Sequence, residues 1–415
     1  MSKRRVVITG LGTLNAVGNS VEETWENLLA GNSGIDIIKN FEITDDFTSK
    51  IAGEIKNLDL MEHFDRKRIK KMDKYTCLAI IAARQAMQDS GLNDTEFDHD
   101  RAGCIVATGI GGMLTFEEEA KKLALKGPKR ISPFFIPKMI ANIASAEVAI
   151  EFNLRSMNFN ISSACASANH GLGTAFRTIQ YGDADIMVSG GTEASVTPLA
   201  VAGFCSMKAL STRNEEPQKA CRPFDSDRDG FIMAEGAGII ILEEMEHALA
   251  RGAKIYAEIV GYGATCDAYH ITAPAENGEG GARAMKMALD DAKLKPEQLD
   301  YINAHGTSTP LNDPNESIAI KTVFGDHAYK LKVNSTKSMV GHSLGAAAGI
   351  EAIVCCKTIE TGKIHPTINL ENPDPVCDLD YVPKAAIDHE VKTALSNSLG
   401  FGGHNGVVIY KKFEK

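Results

Sequence analysis

Two segments, SACASANHGLGTA (163–175) and STKSMVGHSLGAA (335–347), are the same kind of sequence met twice. Laid on each other they pair Ser163 with Ser335, Cys165 with Lys337, His170 with His342 and Leu172-Gly173 with Leu344-Gly345. Each is a polar turn that runs into a helix of small residues. Each follows a strand-like stretch, SMNFNI (156–161) and LKVNS (331–335). Working outward, apolar runs bounded by glycine alternate with helical patterns. RVVIT (5–9) precedes Gly10-Leu11-Gly12, Ser20-x-x-Glu23 reads as a capping box, and 73–90 reads as a helix stopped by Gly91. AGCIVAT (102–108), ADIMVS (184–189) and AGIIILE (237–243) are apolar strands, with a helix over 166–180. The pattern restarts at IYAEIVG (255–261). It continues with a helix at 278–293, a strand LDYINA (299–304), helices at 313–323 and 343–360, and strands near 379–383, 393–398 and 406–411. Unbroken apolar strands between helices mean a sheet covered on both faces, hence an α/β fold. The repeat and the restart predict two similar halves, 1–254 and 255–415, facing each other.

Simple scaling would give 415 residues two or three separate units. No Pro- or Ser-rich linker separates any, so two halves around a shared core is the better reading. A composition of 44% hydrophobic and 24% charged residues is that of a globular chain. With 54 acidic against 44 basic residues the net charge is −10, which argues against nucleic acid as a partner. The basic start MSKRRVVITG has an apolar run too short for a signal sequence, and no stretch reaches the roughly eighteen apolar residues of a membrane span. A cytoplasmic protein with no membrane partner is expected. Nine cysteines, an odd number without a C-x-x-C, suit neither a disulfide framework nor a zinc site.

Cys165 stands apart from the other eight. It follows a strand-like stretch and opens a helix, whose free N–H groups favour thiolate. His305, in NAHGTSTP (303–310), sits at the end of a strand before three hydroxyl residues, and His342 lies in a turn before a helix. One histidine alone is as readily a satisfied core residue. A cysteine and two histidines at three such junctions are a candidate nucleophile and its partners. Two rivals carry less. Gly341-His-Ser343-Leu-Gly345 matches the G-x-S-x-G elbow of serine hydrolases, with Asp380 and His404 downstream in triad order, but Thr336–Val340 separates it from its strand. Gly10-Leu-Gly12 lacks the third glycine of a dinucleotide fingerprint, since Asn15 stands there. Two basic clusters interrupt the acidic background: Arg66, Lys67, Arg68, Lys70 and Lys71, and Lys126, Lys129 and Arg130. Such clusters are usually a solvated face; here they are also a candidate dock for an acidic partner.

The segments SSACAS, GDADIMVSGGTEA (182–194), ALSTRN (209–214), RPFDSDRDGF (222–231), NAHGTSTPLND (303–313), STKSMVGHSLGAAAG (335–349) and NSLGFGGHN (397–405) together resemble the β-ketoacyl-[acyl-carrier-protein] synthases, above all the type II elongation enzymes of bacterial fatty-acid synthesis. The resemblance covers essentially the whole chain. It implies the thiolase fold, five layers αβαβα from two similar halves, usually as a homodimer. It implies an acyltransferase that condenses a Cys165-bound acyl chain with malonyl-[acyl-carrier protein] and extends it by two carbons. By resemblance His305 and His342 would bind the malonyl thioester carbonyl. Lys337 would be the supporting lysine and Glu351 its ionic partner, and the N–H groups of Cys165 and Phe401 would form the oxyanion hole. Thr307 and Thr309 match positions that hold the pantetheine arm; Ile110, Phe135 and Phe401 match acyl-pocket and gate positions, with glycines 400, 402 and 403 giving the gate its freedom. Asn303, Glu351, Ser396 and Asn397 match a monovalent-cation site of relatives; no other cofactor is implied. The basic clusters would dock the acyl carrier protein. Ala234 and Cys205 depart from the family pattern and are expected to shape the acyl pocket. A polyketide ketosynthase is the near alternative; a thiolase lacks support, since no cysteine follows Cys377.

Overall fold

The computed structural model describes residues 3–415. Among these, nine strands form the main sheet. They are β1 (Val6–Leu14), β2 (Ala102–Ala107), β3 (Ile186–Glu193), β4 (Gly236–Glu244), β5 (Ala257–Cys266), β6 (Tyr301–Asn303), β7 (Lys332–Asn334), β8 (Thr393–Gly400) and β9 (His404–Lys411). The helices that cover them are α1 (Lys74–Asp89), α2 (Ile143–Phe152), α3 (Ser167–Gln180), α4 (Glu279–Ala292), α5 (Asn312–Phe324) and α6 (Ala347–Thr361). No helix among the described residues is long and apolar enough to cross a membrane.

The strand order is β2-β3-β4-β1-β5-β9-β8-β6-β7. Read outward from the β1–β5 junction it repeats. In each half the first strand pairs antiparallel with the last, the last antiparallel with the one before it, and the remaining pairings are parallel. The stretch 156–161 holds the place in the first half that β7 holds in the second. It runs beside β2 with a single parallel bridge, Cys104 to Asn158, and so does not become the strand the sequence predicts. The segment 379–383 is likewise extended without being a strand: it takes one hydrogen bond from Val333 and another from Thr367.

Both faces of each strand are apolar, so each half needs two helical layers. Along β4, Ile239 and Ile241 face α1, while Ile240 and Leu242 face the centre of the molecule. On the outer faces α1 and α2 cover the first half, and α4 and α5 the second. Between the halves lie α3 and α6, with Leu172, Phe176 and Ile179 of α3 and Ile353, Cys356 and Ile359 of α6 touching strands from both sides. This is the five-layer αβαβα stack. The small residues of the two quoted segments make it possible, because the central helices lie almost on the strands. A Cβ on Gly349, two residues past the second segment, would come within 2.3 Å of the Gly238 carbonyl, and one on Gly173 within 2.2 Å of the Tyr262 ring. Gly10 and Gly12 serve the same purpose inside β1, which continues through them to Leu14; a Cβ on Gly12 would stand 2.0 Å from the Ala82 carbonyl of α1. They are packing glycines, not the turn after a strand. At residue 20 the predicted box is reciprocal but shifted: Ser20 caps Glu23, while the Glu23 carboxylate accepts from Asn19.

Candidate active site

Cys165 is held at the mouth of the central layer, one residue before the cap of α3. Ala164, just before it, adopts left-handed backbone (φ 51°), as do Ser308 (66°) and Leu344 (46°) near the two histidines. Each costs an L-residue about 1–2 kcal/mol, and strain of this kind collects where a side chain must be aimed. The three junctions converge. His342 Nε2 lies 3.0 Å from Cys165 Sγ, the His305 and His342 rings are 5.3 Å apart and nearly perpendicular, and one ligand-type atom from each of the three residues lies within 4.8 Å of the others. Gly400, at the end of β8, closes the site: a Cβ there would stand 3.1 Å from the Cys165 amide nitrogen.

Burial sets the protonation states. It pushes the Cys165 thiol up to about 11, against the pull of the Lys337 charge and of the Phe401 backbone N–H. The resting thiol is therefore protonated, contrary to the thiolate that its place before a helix predicts; desolvation outweighs the helix terminus. Burial, reinforced by Lys337, holds both imidazoles well below the ordinary histidine range, so both are neutral. Their Nδ1 atoms are buried and find no hydrogen-bond partner among the described residues. A bare acceptor there is less costly than an orphaned N–H, which favours the tautomer with the proton on Nε2. Both rings then offer an N–H donor to the cavity. Lys337 is 1% exposed and pairs with Glu351, which keeps its charge in place.

Two residues hold this arrangement and were not singled out from the sequence. The Glu316 carboxylate accepts the backbone N–H of His305 (2.7 Å) and of Gly306 (2.8 Å) and the Asn397 side-chain amide (2.7 Å), pinning the His305 loop to β8. Its burial raises it to about 7. Glu193 accepts from the amides of Gly109 and Gly345 and so ties the Ile110 loop to the His342 loop. The NDPNE and GGTEA runs carry these glutamates, but only the fold shows what they grip.

A cavity of about 550 Å³ opens on Cys165, His305 and His342. Ile110, Thr307, Thr309, Leu344 and Phe401 line it, and the Thr307 and Thr309 hydroxyls stand 3.0 Å apart. Phe401 is followed by Gly402 and Gly403 in left-handed backbone (φ 85° and 75°) that glycine alone adopts freely. Phe135 does not line this cavity. It lies on a short helix, Phe135–Met139, in the excursion between β2 and α2. Ala234 packs behind His342, donating its N–H to that residue's carbonyl, and Cys205 belongs to the apolar cluster of Phe204, Phe231 and Leu344 that backs the cavity, although neither side chain lines it directly. The literal pairing of His170 with His342 also fails in space. His170 is inside α3, where it bonds Ser163 and the Asn405 carbonyl, whereas α6 starts only at Ala347. The hydrolase triad is not assembled: Ser343 is 1% exposed, its hydroxyl finds no partner among the described residues, and Asp380 pairs with Lys332.

Of the candidate cation residues, Asn303 and Ser396 face each other across β6 and β8, and Asn397 follows on β8. Asn303, Ser396, Asn397 and Glu351 are all buried. Asn303 Oδ1, Asn397 Oδ1 and Glu351 Oε2 are acceptor oxygens without a partner among the described residues. Of the basic clusters, Arg66, Lys67, Lys70, Lys71, Lys126, Lys129 and Arg130 are exposed, and Lys71 lies over the Phe134 ring, so the two clusters share a surface. Arg68 does not belong to it, because Glu147 and Glu151 already pair with its guanidinium.

Comparison with known proteins agrees with this geometry. The family profile of the β-ketoacyl synthase N-terminal domain matches residues 3–248, and that of the C-terminal domain matches 256–371. A 3-oxoacyl-[acyl-carrier-protein] synthase 2 of Staphylococcus aureus is 53% identical over 411 residues, 99% of both chains. One from Synechocystis is 51% identical over 414 residues, covering 100% of this chain and 99% of the other. Among solved structures, a type II polyketide acyl-carrier protein in complex with its ketosynthase bound to the hexaketide includes a chain that superposes with a TM-score of 0.92 at 40% identity, covering 100% of both. Two family profiles over most of the length, full-length relatives above half identity and a nucleophile facing two histidines lead to one assignment: the chain belongs to the β-ketoacyl synthase family.

Proposed function

We propose that this chain is the condensing enzyme of fatty-acid elongation, joining an acyl group to malonyl-[acyl-carrier protein] with loss of CO2. The observation that carries the reading is the convergence of Cys165, His305 and His342 on one cavity, with His342 Nε2 at 3.0 Å from the thiol. In the first step Cys165 sulfur bonds the carbonyl carbon of an acyl thioester. The oxyanion is met by the Cys165 and Phe401 amides, and the carrier leaves as a thiol with the cysteine's proton. In the second, malonyl thioester loses CO2. The enolate oxygen accepts from His305 and His342, and its carbon attacks the acyl-cysteine; the C–S bond breaks and Cys165 leaves as a thiolate, which takes up one proton from solvent to restore the thiol. Donors fixed before charge develops need no reorganisation, which is why neutral imidazoles serve without a Lewis acid. Thr307 and Thr309 hold the pantetheine arm, Ile110 and Phe401 gate the acyl chain, and Lys337 with Glu351 sets the field. A polyketide ketosynthase would run the same chemistry; 53% identity to elongation enzymes against 40% to the polyketide relative favours elongation. Incubation with acyl- and malonyl-carrier should yield a β-ketoacyl-carrier two carbons longer. CO2 release without that product would overturn the reading.

The carrier docks, in this reading, on the exposed basic surface. Lys70→Glu with Lys71→Glu should raise KM for the carrier about 10-fold or more while kcat stays within about twofold, because rim charges act mainly on encounter. An unchanged KM would reject the patch. The halves are divided at 254/255, supported by the strand order that repeats on either side. A homodimer is supported by apolar side chains left open on the excursion and α2: Leu123 (51% exposed), Leu125 (71%), Ile136 (54%) and Ile150 (72%). Light scattering should give twice 44.6 kDa, about 89 kDa, and Ile150→Glu should shift it toward the monomer; a monomeric parent protein rejects the dimer. Cytoplasmic location is supported by nine free cysteines.

No organic cofactor enters these steps. Asn303, Asn397 and Glu351, with Ser396 beside them, would hold a monovalent cation; three orphaned oxygens are the donor set a hard cation takes. The ion would supply a fixed positive charge. Melting in K⁺ or Na⁺ should exceed melting in tetramethylammonium at equal ionic strength, and equal midpoints would reject the site.

A further inference from the structure

Cys165, His305 and His342 are also a metal-ligand set. Sγ, His342 Nε2 at 3.0 Å and a ring nitrogen of His305, all within 4.8 Å of one another, surround a point open to the 550 Å³ cavity. We propose that the unacylated enzyme binds one borderline-soft divalent cation, of the Zn²⁺ class, through these three side chains, and that this closes the enzyme to acyl transfer. Tetrahedral Zn²⁺, with bonds of about 2.3 Å to sulfur and 2.0–2.1 Å to nitrogen, needs ligand atoms about 3.4–3.6 Å apart. The Sγ–Nε2 spacing of 3.0 Å falls just short of that range and no pair exceeds 4.8 Å, so rotamer-scale adjustment suffices. The donor types are those that select Zn²⁺ over Mg²⁺ or Ca²⁺. Ligation needs a bare nitrogen facing the ion, so on metal binding the proton of each ring moves from Nε2 to Nδ1, with no net proton gained or lost, and the open cavity leaves room for a fourth ligand. Lys337 opposes a cation here, but Glu351 neutralises its charge. The step balances as M²⁺ plus Cys–SH giving M–S–Cys and one released H⁺, with no change of oxidation state. An acylated Cys165 has no thiolate to offer, so metal and acyl group exclude each other.

Co²⁺ tests this on the full-length, chelator-treated protein, because a thiolate ligand gives it a sulfur-to-metal charge-transfer band. The band does not depend on the protein being a condensing enzyme. One Co²⁺ per chain, with the band lost in Cys165→Ala, in His342→Ala and after iodoacetamide has blocked Cys165, is expected. The band should survive in Cys266→Ser, which removes the exposed thiol. Added Zn²⁺ should displace the band and abolish acylation of Cys165, reversibly on chelation. A band that persists after Cys165 is blocked, that vanishes in Cys266→Ser, or that never forms overturns the proposal.

Discussion

Cys165→Ala should lose condensing activity by about 10⁴-fold or more, the scale on which an enzyme loses its nucleophile. The effect is large because nothing else in the cavity can replace the thiol. Ser343 is sealed in the core, and Cys165 is the one cysteine among the residues that line the cavity. The same variant should still release CO2 from malonyl-carrier, since His305, His342 and the Lys337–Glu351 pair are untouched. Product analysis together with CO2 release separates the two. Full condensation by Cys165→Ala would remove the covalent step from the account.

The second large effect is that of the histidines. A fixed donor facing an oxyanion contributes on the order of 3 kcal/mol, so His305→Ala and His342→Ala should each slow decarboxylation about 10²–10³-fold. They should differ in acylation. His342 touches Cys165 sulfur and its loss should slow acyl transfer as well, whereas His305→Ala should acylate at nearly the parent rate. Single-turnover acylation and malonyl decarboxylation, measured separately, read that split. The pH dependence follows from the same burial. Both imidazoles have lowered pKa values, so each is already neutral through the ordinary range and gains a proton only on acidification. Decarboxylation should therefore be flat across pH 6 to 8 and fall on the acid side. A rise through pH 6.5 would mean that an ordinary, solvated histidine is at work.

Most of the frame could be read from the chain. The alternation of apolar strands and helices, the restart at 255 and the doubled small-residue segment yield the layered architecture, because each is a direct consequence of a sheet buried on both faces. The doubled segment marks topologically equivalent places but not equivalent atoms. His170 and His342 align in sequence, yet α3 begins two residues after Cys165, while a short turn of helix and a loop carry His342 before α6 starts. Stretches 156–161 and 379–383 have strand composition, but composition cannot show that neighbouring chain offers only scattered hydrogen bonds. The thiol's protonation is out of reach of the sequence for a related reason. A helix terminus is visible in sequence, whereas the desolvation that outweighs it depends on what closes over the site. Glu316 and Glu193 are invisible to motif reading because their carboxylates accept from backbone amides, those of Glu316 ten and eleven residues back and those of Glu193 84 and 152 residues away.

Whether Cys165 carries the acyl chain is decided by mass analysis of the protein. The protein is incubated with an acyl-carrier and no malonyl-carrier, then digested. One acyl group per chain is expected, on the peptide that contains Cys165, removed by subsequent malonyl-carrier. An acyl group on Ser343 or any other residue, or a protein that forms product without ever carrying one, would contradict it.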